Sequence, residues 1–346
     1  MTEAHKKNKK SSISVVIVTW NAGAYIRHVL TSLLEQTYSK FDVLIIDNGS
    51  TDDTVSVIKN NYSDDVKVVE QKKNTGFSKA YNAGIHWTKG EYVLIMNQDV
   101  VLESDFLSHC AEFMSSHDVV GAVQGKVLHW NVTQNKRESV IDTCGVNVTK
   151  QHSFYNRFEG LRESDVPECE EVKPVFAFSG SLVLLRRSAL VDVSYKKEYF
   201  DEDFFAYKED VDLSWRLRHA HWDIVYLPTA RAYHGRTLSS KGNHNDRSYL
   251  MQNRKKQDPF LHMISYRNHL STLIKNQQTK NILLYAPYIF WYELQKIVYM
   301  VVFERSTFKG IFSFIKQLPK TLKKRKRILE NSHLKSATFK EWTKEV

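Results

Sequence analysis

Three short hydrophobic runs in the first hundred residues each end abruptly in a polar turn, and this alternation limits the fold more than any other feature. Ile13–Thr19 runs into Trp20-Asn21, Phe41–Ile46 into Asp47-Asn48-Gly49-Ser50-Thr51-Asp52, and Tyr92–Met96 into Asn97-Gln98-Asp99. Helical periodicity fills the gaps: 23–36, with Ile26, Val29, Leu30, Leu33 and Leu34 on one face, then 52–60 and 77–88, with a further strand at 66–70. Strand–helix alternation of this kind predicts an α/β fold, a mostly parallel sheet flanked by helices. Ligands of such sheets bind beyond the carboxyl ends of the strands. The three turns therefore converge on one polar mouth, where Asp47 and Asp99 each sit at a strand end.

Beyond residue 100 the pattern loosens. A helix is expected at 103–116, strands at about 119–128, 140–148 and 174–186, a helix at 207–219 and a strand at 222–227, followed by strand-like Ala230–Tyr233. Residues 237–261 are polar, contain Gly242, Asn243, Asn245 and Pro259, and read as a mobile loop. The expected organisation is a basic tail at 1–12, a catalytic domain at 13–236, that loop, and a helical, aromatic and basic extension at 262–346.

The 346 residues are 42% hydrophobic and 25% charged, which describes a globular chain rather than a disordered one. Cys110, Cys144 and Cys169 form no close pair, so neither a zinc site nor a disulfide framework is indicated, and a reducing compartment is expected. The apolar run after the polar N-terminus is too short for a signal-peptide core. The net charge of +10 is concentrated at the ends, +3 in residues 1–10 and +8 in 304–346, leaving the body near neutral. Nucleic-acid enzymes spread positive charge over the body, so no nucleic-acid partner is expected. Basic ends beside aromatic residues point instead to an anionic membrane surface. Residues 282–303 are apolar but interrupted by Glu293 and Lys296, and Lys323-Lys324-Arg325-Lys326-Arg327 follows; this suits an interfacial helix, or one packed on the catalytic domain with a solvated basic tail.

Several constellations could carry chemistry. Asp47 could accept the N3–H of uracil or thymine, although Asn48-Gly49-Ser50 also suits a plain turn and helix cap. Asp99 could hold Mg²⁺ or Mn²⁺, which bridge carboxylates to substrate phosphates, with Asn97 as a neutral oxygen. Lys72-Lys73-Asn74-Thr75-Gly76 precedes a helix whose N-terminal amides attract phosphate, and Asn82 could face the same crevice. Asp201-Glu202-Asp203 and Glu209-Asp210 bracket three aromatics, a surface suited to a sugar and to a general base. His234 gains meaning as a metal ligand if it lies near Asp99. Arg236 and Lys241 could then neutralise a leaving diphosphate.

In this order the pieces resemble family 2 glycosyltransferases, which have the GT-A nucleotide-diphospho-sugar-binding fold. The resemblance runs from Val15-Val16-Ile17-Val18-Thr19-Trp20-Asn21 to about Arg236, through Asn74-Thr75-Gly76-Phe77, Phe178-Ser179-Gly180-Ser181 and Glu209-Asp210-Val211-Asp212-Leu213-Ser214-Trp215-Arg216. Asn97 and the Glu209–Arg216 segment are similar to rhamnosyltransferases of bacterial surface polysaccharides. The resemblance implies Asp210 as catalytic base with Glu209 beside it, and Asp99 and His234 at the metal. It implies nucleotide contacts from Thr19, Asn21, Asp47, Asn74, Gly76, Asn97 and Arg236, and sugar or acceptor contacts from Gly180, Ser181 and Trp215. Asn97 stands where the family's D-x-D motif begins with Asp. The expected activity is inverting transfer from a dTDP- or UDP-sugar, rhamnose favoured, to a lipid-linked glycan at the inner face of the cytoplasmic membrane. A nucleotidyltransferase would need a glycine- and arginine-rich triphosphate loop after the first strand, which Trp20–Ala24 does not provide. A non-catalytic membrane-associated binding protein would be favoured by loss of Asp99 or Asp210, and both are present.

Overall fold

A computed structural model describes residues 12–236, 258–334 and 336–343. The basic tail up to residue 11 and the loop segment 237–257, which includes Lys241, lie outside the described residues. The first half follows the expected alternation: β1 (Ile13–Thr19), α1 (Ile26–Leu34), β2 (Phe41–Asp47), α2 (Thr54–Tyr62), β3 (Lys67–Glu70), α3 (Phe77–Trp87) and β4 (Tyr92–Asn97). β1 lies between β2 and β4, parallel to both, and β3 extends the sheet beyond β2. Its hydrophobic strands are buried on both faces, Val15, Val16 and Ile17 being inaccessible to solvent.

The rest of the chain makes the sheet mixed rather than mostly parallel. β5 (Val100–Leu102) and α4 (Phe106–Ser116) are followed by β6 (Val120–Asn131) and β7 (Lys136–Thr143). The expected strand 140–148 is two elements, because Gly145 turns the chain at φ +97 before β8 (Val146–Val148), which pairs with β9 (Phe154–Asn156). The expected strand 174–186 is also broken. β10 (Lys173–Pro174) borders β12 (Asp223–His234), whereas β11 (Leu182–Arg186) inserts antiparallel between β4 and β6. α5 (Arg187–Asp192) and α6 (Glu209–His219) precede β12, one strand with an irregularity between Leu227 and Arg231 where two had been expected.

Four helices complete the chain: α7 (Pro259–Asn276), α8 (Thr279–Phe303), α9 (Arg305–Glu330) and α10 (Ser336–Trp342). They are fastened to the sheet by a second, aromatic core. Trp215 of α6 is fully buried and stacks on Phe339 of α10, ring centroids 5.5 Å apart, with Phe176 edge-on at 5.4 Å. Lys275 reaches Asp201 and, at 2.8 Å, Asp212. Lys324 reaches Asp201 at 2.6 Å and Asp203 at 3.1 Å. Arg325 donates to the carbonyls of Ile274 and Gln277. Two cations of the basic run are thus committed within the protein, while Lys323, Lys326 and Arg327 remain exposed.

Candidate active site

The turn after β4 and the end of β12 meet because β5 pairs antiparallel with β12, His234 opposite Val100. Gly235 N–H donates to the Asp99 carbonyl at 2.7 Å, and His234 Nε2 lies 3.2 Å from Asp99 Oδ1. Its Nδ1 lies 3.0 Å from Asp142 Oδ2, on β7, and Asp142 is gripped in turn by Arg236. Burial alone would lower the His234 pKa, but the Asp99 and Asp142 charges reverse this and hold it at about 10. Burial would likewise raise Asp142; Arg236 and His234 instead hold its carboxyl well below the usual range. Arg236 also reaches Glu159 at 3.1 Å.

Once the imidazole gives up the proton it holds towards Asp99, one carboxylate and one imidazole held by a second carboxylate make a donor set that fits Mg²⁺ or Mn²⁺, with substrate phosphates supplying further oxygens. Among the described residues no group of three His, Cys, Asp or Glu is arranged to hold a metal ion, so Asp99 and His234 would act as a pair. Asp142 and Glu159 were not foreseen in the sequence. The one available signal was a lone Asp inside the apolar strand Val140-Ile141-Asp142.

Asp210 is the second residue of α6. Its Oδ2 accepts the Gly180 N–H at 3.0 Å and its Oδ1 accepts the Val211 N–H at 2.8 Å, so each oxygen keeps a free lone pair. A Cβ on Gly180 would come within 3.3 Å of the Asp210 Cβ, so the bare backbone allows this approach. Ser181 links this group to the turn after β4: its carbonyl accepts the Asn97 N–H at 2.9 Å. The Ser181 side chain is buried and pairs with Ser179 at 3.1 Å. Glu209 is 6% exposed, and burial, helped by the adjacent Asp210 charge, pushes its pKa up to about 8.

Several sequence expectations need correction. Asp47 is 2% exposed rather than a free polar contact. Its Oδ1 accepts the hydroxyls of Thr19 and Ser50 and its Oδ2 the amides of Gly49 and Ser50, which fills all four acceptor positions. Asn21 accepts the Thr51 N–H at 2.8 Å, and Gln98, also not foreseen, binds both the N–H and the carbonyl of Trp20. These residues shape the mouth. The first amide of α3 is used within the protein: the Phe77 N–H donates to the Phe205 carbonyl at 2.6 Å. Gly76, at φ +84, leaves room for the Phe205 ring, which would lie 2.5 Å from a Cβ there. Asn74 braces the same turn by accepting from Asn48 and Gly76. Asn82 is buried and clamps the backbone of Tyr199 and Phe200. Trp215 lies in the aromatic core, closed to a sugar, and Asp201 and Asp203 are spent on lysines of α7 and α9.

The glycosyl transferase family 2 model matches residues 14–191. Poly-beta-1,6-N-acetyl-D-glucosamine synthase of Staphylococcus epidermidis is 27% identical over 226 residues, 63% of this chain and 48% of that protein. The Staphylococcus aureus COL enzyme of the same name is 25% identical over 240 residues, 65% of this chain and 52% of its own. The chain thus spans about half the length of the curated relatives it matches. Among solved structures, GalNAc-T7 with UDP, GalNAc and Mn²⁺ aligns at TM-score 0.56 and 14% identity, over 85% of this chain and 57% of its own. S. aureus TarS 1–349 in complex with UDP-GlcNAc aligns at 0.51 and 18% identity, over 93% and 81%. These likenesses show the GT-A fold. With its family model matched over half of its length, the chain belongs to glycosyl transferase family 2 and is a glycosyltransferase.

Proposed function

We propose that the protein transfers a sugar, rhamnose favoured, from a dTDP- or UDP-linked donor to a hydroxyl of a growing, lipid-linked surface polysaccharide, with inversion at the anomeric carbon. The observation that carries this reading is the presence of two groups, Asp99–His234–Asp142 and Gly180–Asp210, linked through Ser181 and Asn97. Asp210 takes the acceptor proton on a free lone pair as that oxygen attacks the anomeric carbon and the bond to the diphosphate breaks. Burial and the Asp210 charge favour the protonated form of Glu209, which leaves Asp210 the better acceptor for that proton. Asp99 and His234 would hold a divalent cation, which when bound would supply charge neutralisation for the departing diphosphate. Asp142 orients the imidazole for that task. We read Thr19, Asn21, Asp47, Asn74 and Gly76 as shaping the nucleotide cleft through their turns, with Asn97 and Arg236 on its phosphate side.

We further read residues 13–236 as the catalytic unit and 262–346 as an extension that meets an anionic membrane at the cytoplasmic face. No helix among the described residues is long and apolar enough to cross a membrane. α8 nonetheless exposes Leu284, Trp291, Leu294, Val298 and Val301 along one stripe, and α9 exposes Lys309, Lys316, Lys323 and Lys326. An in-plane helix with an apolar face beside a cationic one suits the headgroup layer.

The deciding experiment is donor turnover across a panel of dTDP- and UDP-sugars, with and without chelator, for the parent and for Asp210→Asn and Asp99→Asn. Asp210→Asn should lower transfer by about 10²–10⁴-fold with donor affinity nearly unchanged. Asp99→Asn and chelator should both weaken donor binding. Normal transfer by Asp210→Asn would remove it as the base, and indifference of the parent to chelator would remove the metal.

A further inference from the structure

A cavity of about 480 Å³ lies between the β9 strand, the residues that lead into α6 and the helices α7 and α8, and its lining includes Lys208, two residues before Asp210. That volume is typical of a site for one small ligand. Its walls include Phe154, Tyr207, Tyr266, Tyr292 and Tyr299, flat apolar faces of the kind on which sugar rings stack. Two ammonium groups also line it, Lys208 and Lys296. Lys296 is matched by Glu293 at 3.0 Å. Glu293 itself is spent on Tyr266, His269 and that lysine.

Lys208 is different. It sits two residues before Asp210, in a left-handed conformation (φ 70, ψ 0) at the N-cap of α6. Its charge lies over the Phe154 ring at 5.5 Å, and it has no carboxylate within ion-pair distance among the described residues. Burial lowers its pKa, although Asp210 pulls the other way. A partly buried ammonium with no carboxylate paired to it favours an anion at its side. His269 adds no charge, since burial and Lys296 hold its pKa near 4.

We propose that this cavity is the acceptor subsite and that it takes a phosphorylated saccharide, with the sugar ring on the tyrosines, its phosphate on Lys208 and a ring hydroxyl at Asp210. This rests on the transferase reading above and deepens it by naming the acceptor's chemical class. The phosphate could belong to a free glycosyl phosphate or to a lipid carrier. α8 turns Tyr292, Lys296 and Tyr299 to the cavity and Trp291, Leu294 and Val298 outward, so a chain leaving the phosphate would meet the apolar stripe.

The test is calorimetric binding to the full chain of three probes: glucose 1-phosphate, farnesyl-diphosphoryl-glucose in detergent, and neutral octyl glucoside. UDP is titrated in parallel. Lys208→Gln should weaken at least one phosphorylated probe tenfold or more, leave octyl glucoside within twofold and leave UDP within twofold, and Lys208→Arg should restore the loss. Loss confined to the farnesyl probe assigns the phosphate to a lipid carrier; loss with both probes assigns it to the sugar phosphate alone. The proposal is overturned if the parent binds neither phosphorylated probe, if all probes weaken equally, or if UDP weakens instead, which would give Lys208 to the donor diphosphate. Absence of both UDP binding and donor turnover in the parent would defeat the transferase reading, while the Lys208-dependent phosphate binding would still be read on its own.

Discussion

Replacing Glu209 by glutamine should stabilise the protein, and more so as the pH rises. The glutamate is nine-tenths buried or more at the first turn of α6, its Oε2 has no hydrogen-bond partner, and Asp210 lies next to it. Its pKa is raised from 4.5 to about 8, by burial first and by the Asp210 charge second. The sign follows directly. Below pH 4.5 both folded and unfolded chains hold the proton, and the group costs nothing. Between 4.5 and 8 the unfolded chain releases it while the folded chain keeps it, so stability declines as the pH rises. Across the full window, at roughly 1.4 kcal/mol per pH unit, the decline is on the order of 5 kcal/mol. Glutamine has the shape of the protonated acid and cannot ionise, so Glu209→Gln should remove this slope. The assay is urea denaturation of parent and variant at pH 5, 6.5 and 8, reading the difference in unfolding free energy. Other buried groups titrate in both proteins and cancel in that difference. A gap that stays constant from pH 5 to 8 would mean that Glu209 is ionised in the folded protein, and it would then compete with Asp210 as base.

Trp215→Ala should cost roughly 3–5 kcal/mol of stability, as expected for a fully buried tryptophan, and should leave donor affinity unchanged in calorimetry. A variant as stable as the parent but weak for acceptor would return Trp215 to the cleft. Asp47→Ala should lower the urea midpoint by an amount equivalent to roughly 2–4 kcal/mol, because four donors lose a charged acceptor; unchanged stability with weakened UDP binding would mean that the carboxylate turns to the base when nucleotide is present. Trp291→Glu, on the exposed stripe of α8, should reduce flotation with anionic liposomes several-fold without changing the thermal midpoint. No salt-sensitive flotation by the parent would remove the membrane surface from the reading.

The difference between what could be read in the sequence and what could not lies in the range over which each residue's partners are found. β1, β2 and β4 were legible because a hydrophobic run and the turn that ends it are contiguous, and the carboxylates at their ends were legible for the same reason. His234 and Asp99 are 3.2 Å apart, although their proximity depends on the pairing of β5 and β12, two strands far apart in the sequence. Only the resemblance joined them. α6 shows the limit clearly. Its charged residues Asp212, Arg216 and Arg218 look solvent-facing by composition, yet all three are buried. Asp212 meets Lys275 and Asn276 from α7, Arg216 binds the carbonyls of Val193 and Tyr199, and Arg218 binds those of Val175 and Phe176. With no exposed face left to carry polarity, the helix loses the pattern by which helices are oriented from sequence. The same cause hid the fate of Trp215, whose stacking partner lies in the last helix. The turn before Asp210 is also tied to the C-terminal helices: Asn268 of α7 donates to the carbonyls of Phe204, Ala206 and Tyr207, the residues that lead into it. Under the proposed function, the helical extension that carries the apolar and cationic stripes would thus hold the segment that positions the base, and a surface bound by those stripes would be coupled to the site through these hydrogen bonds.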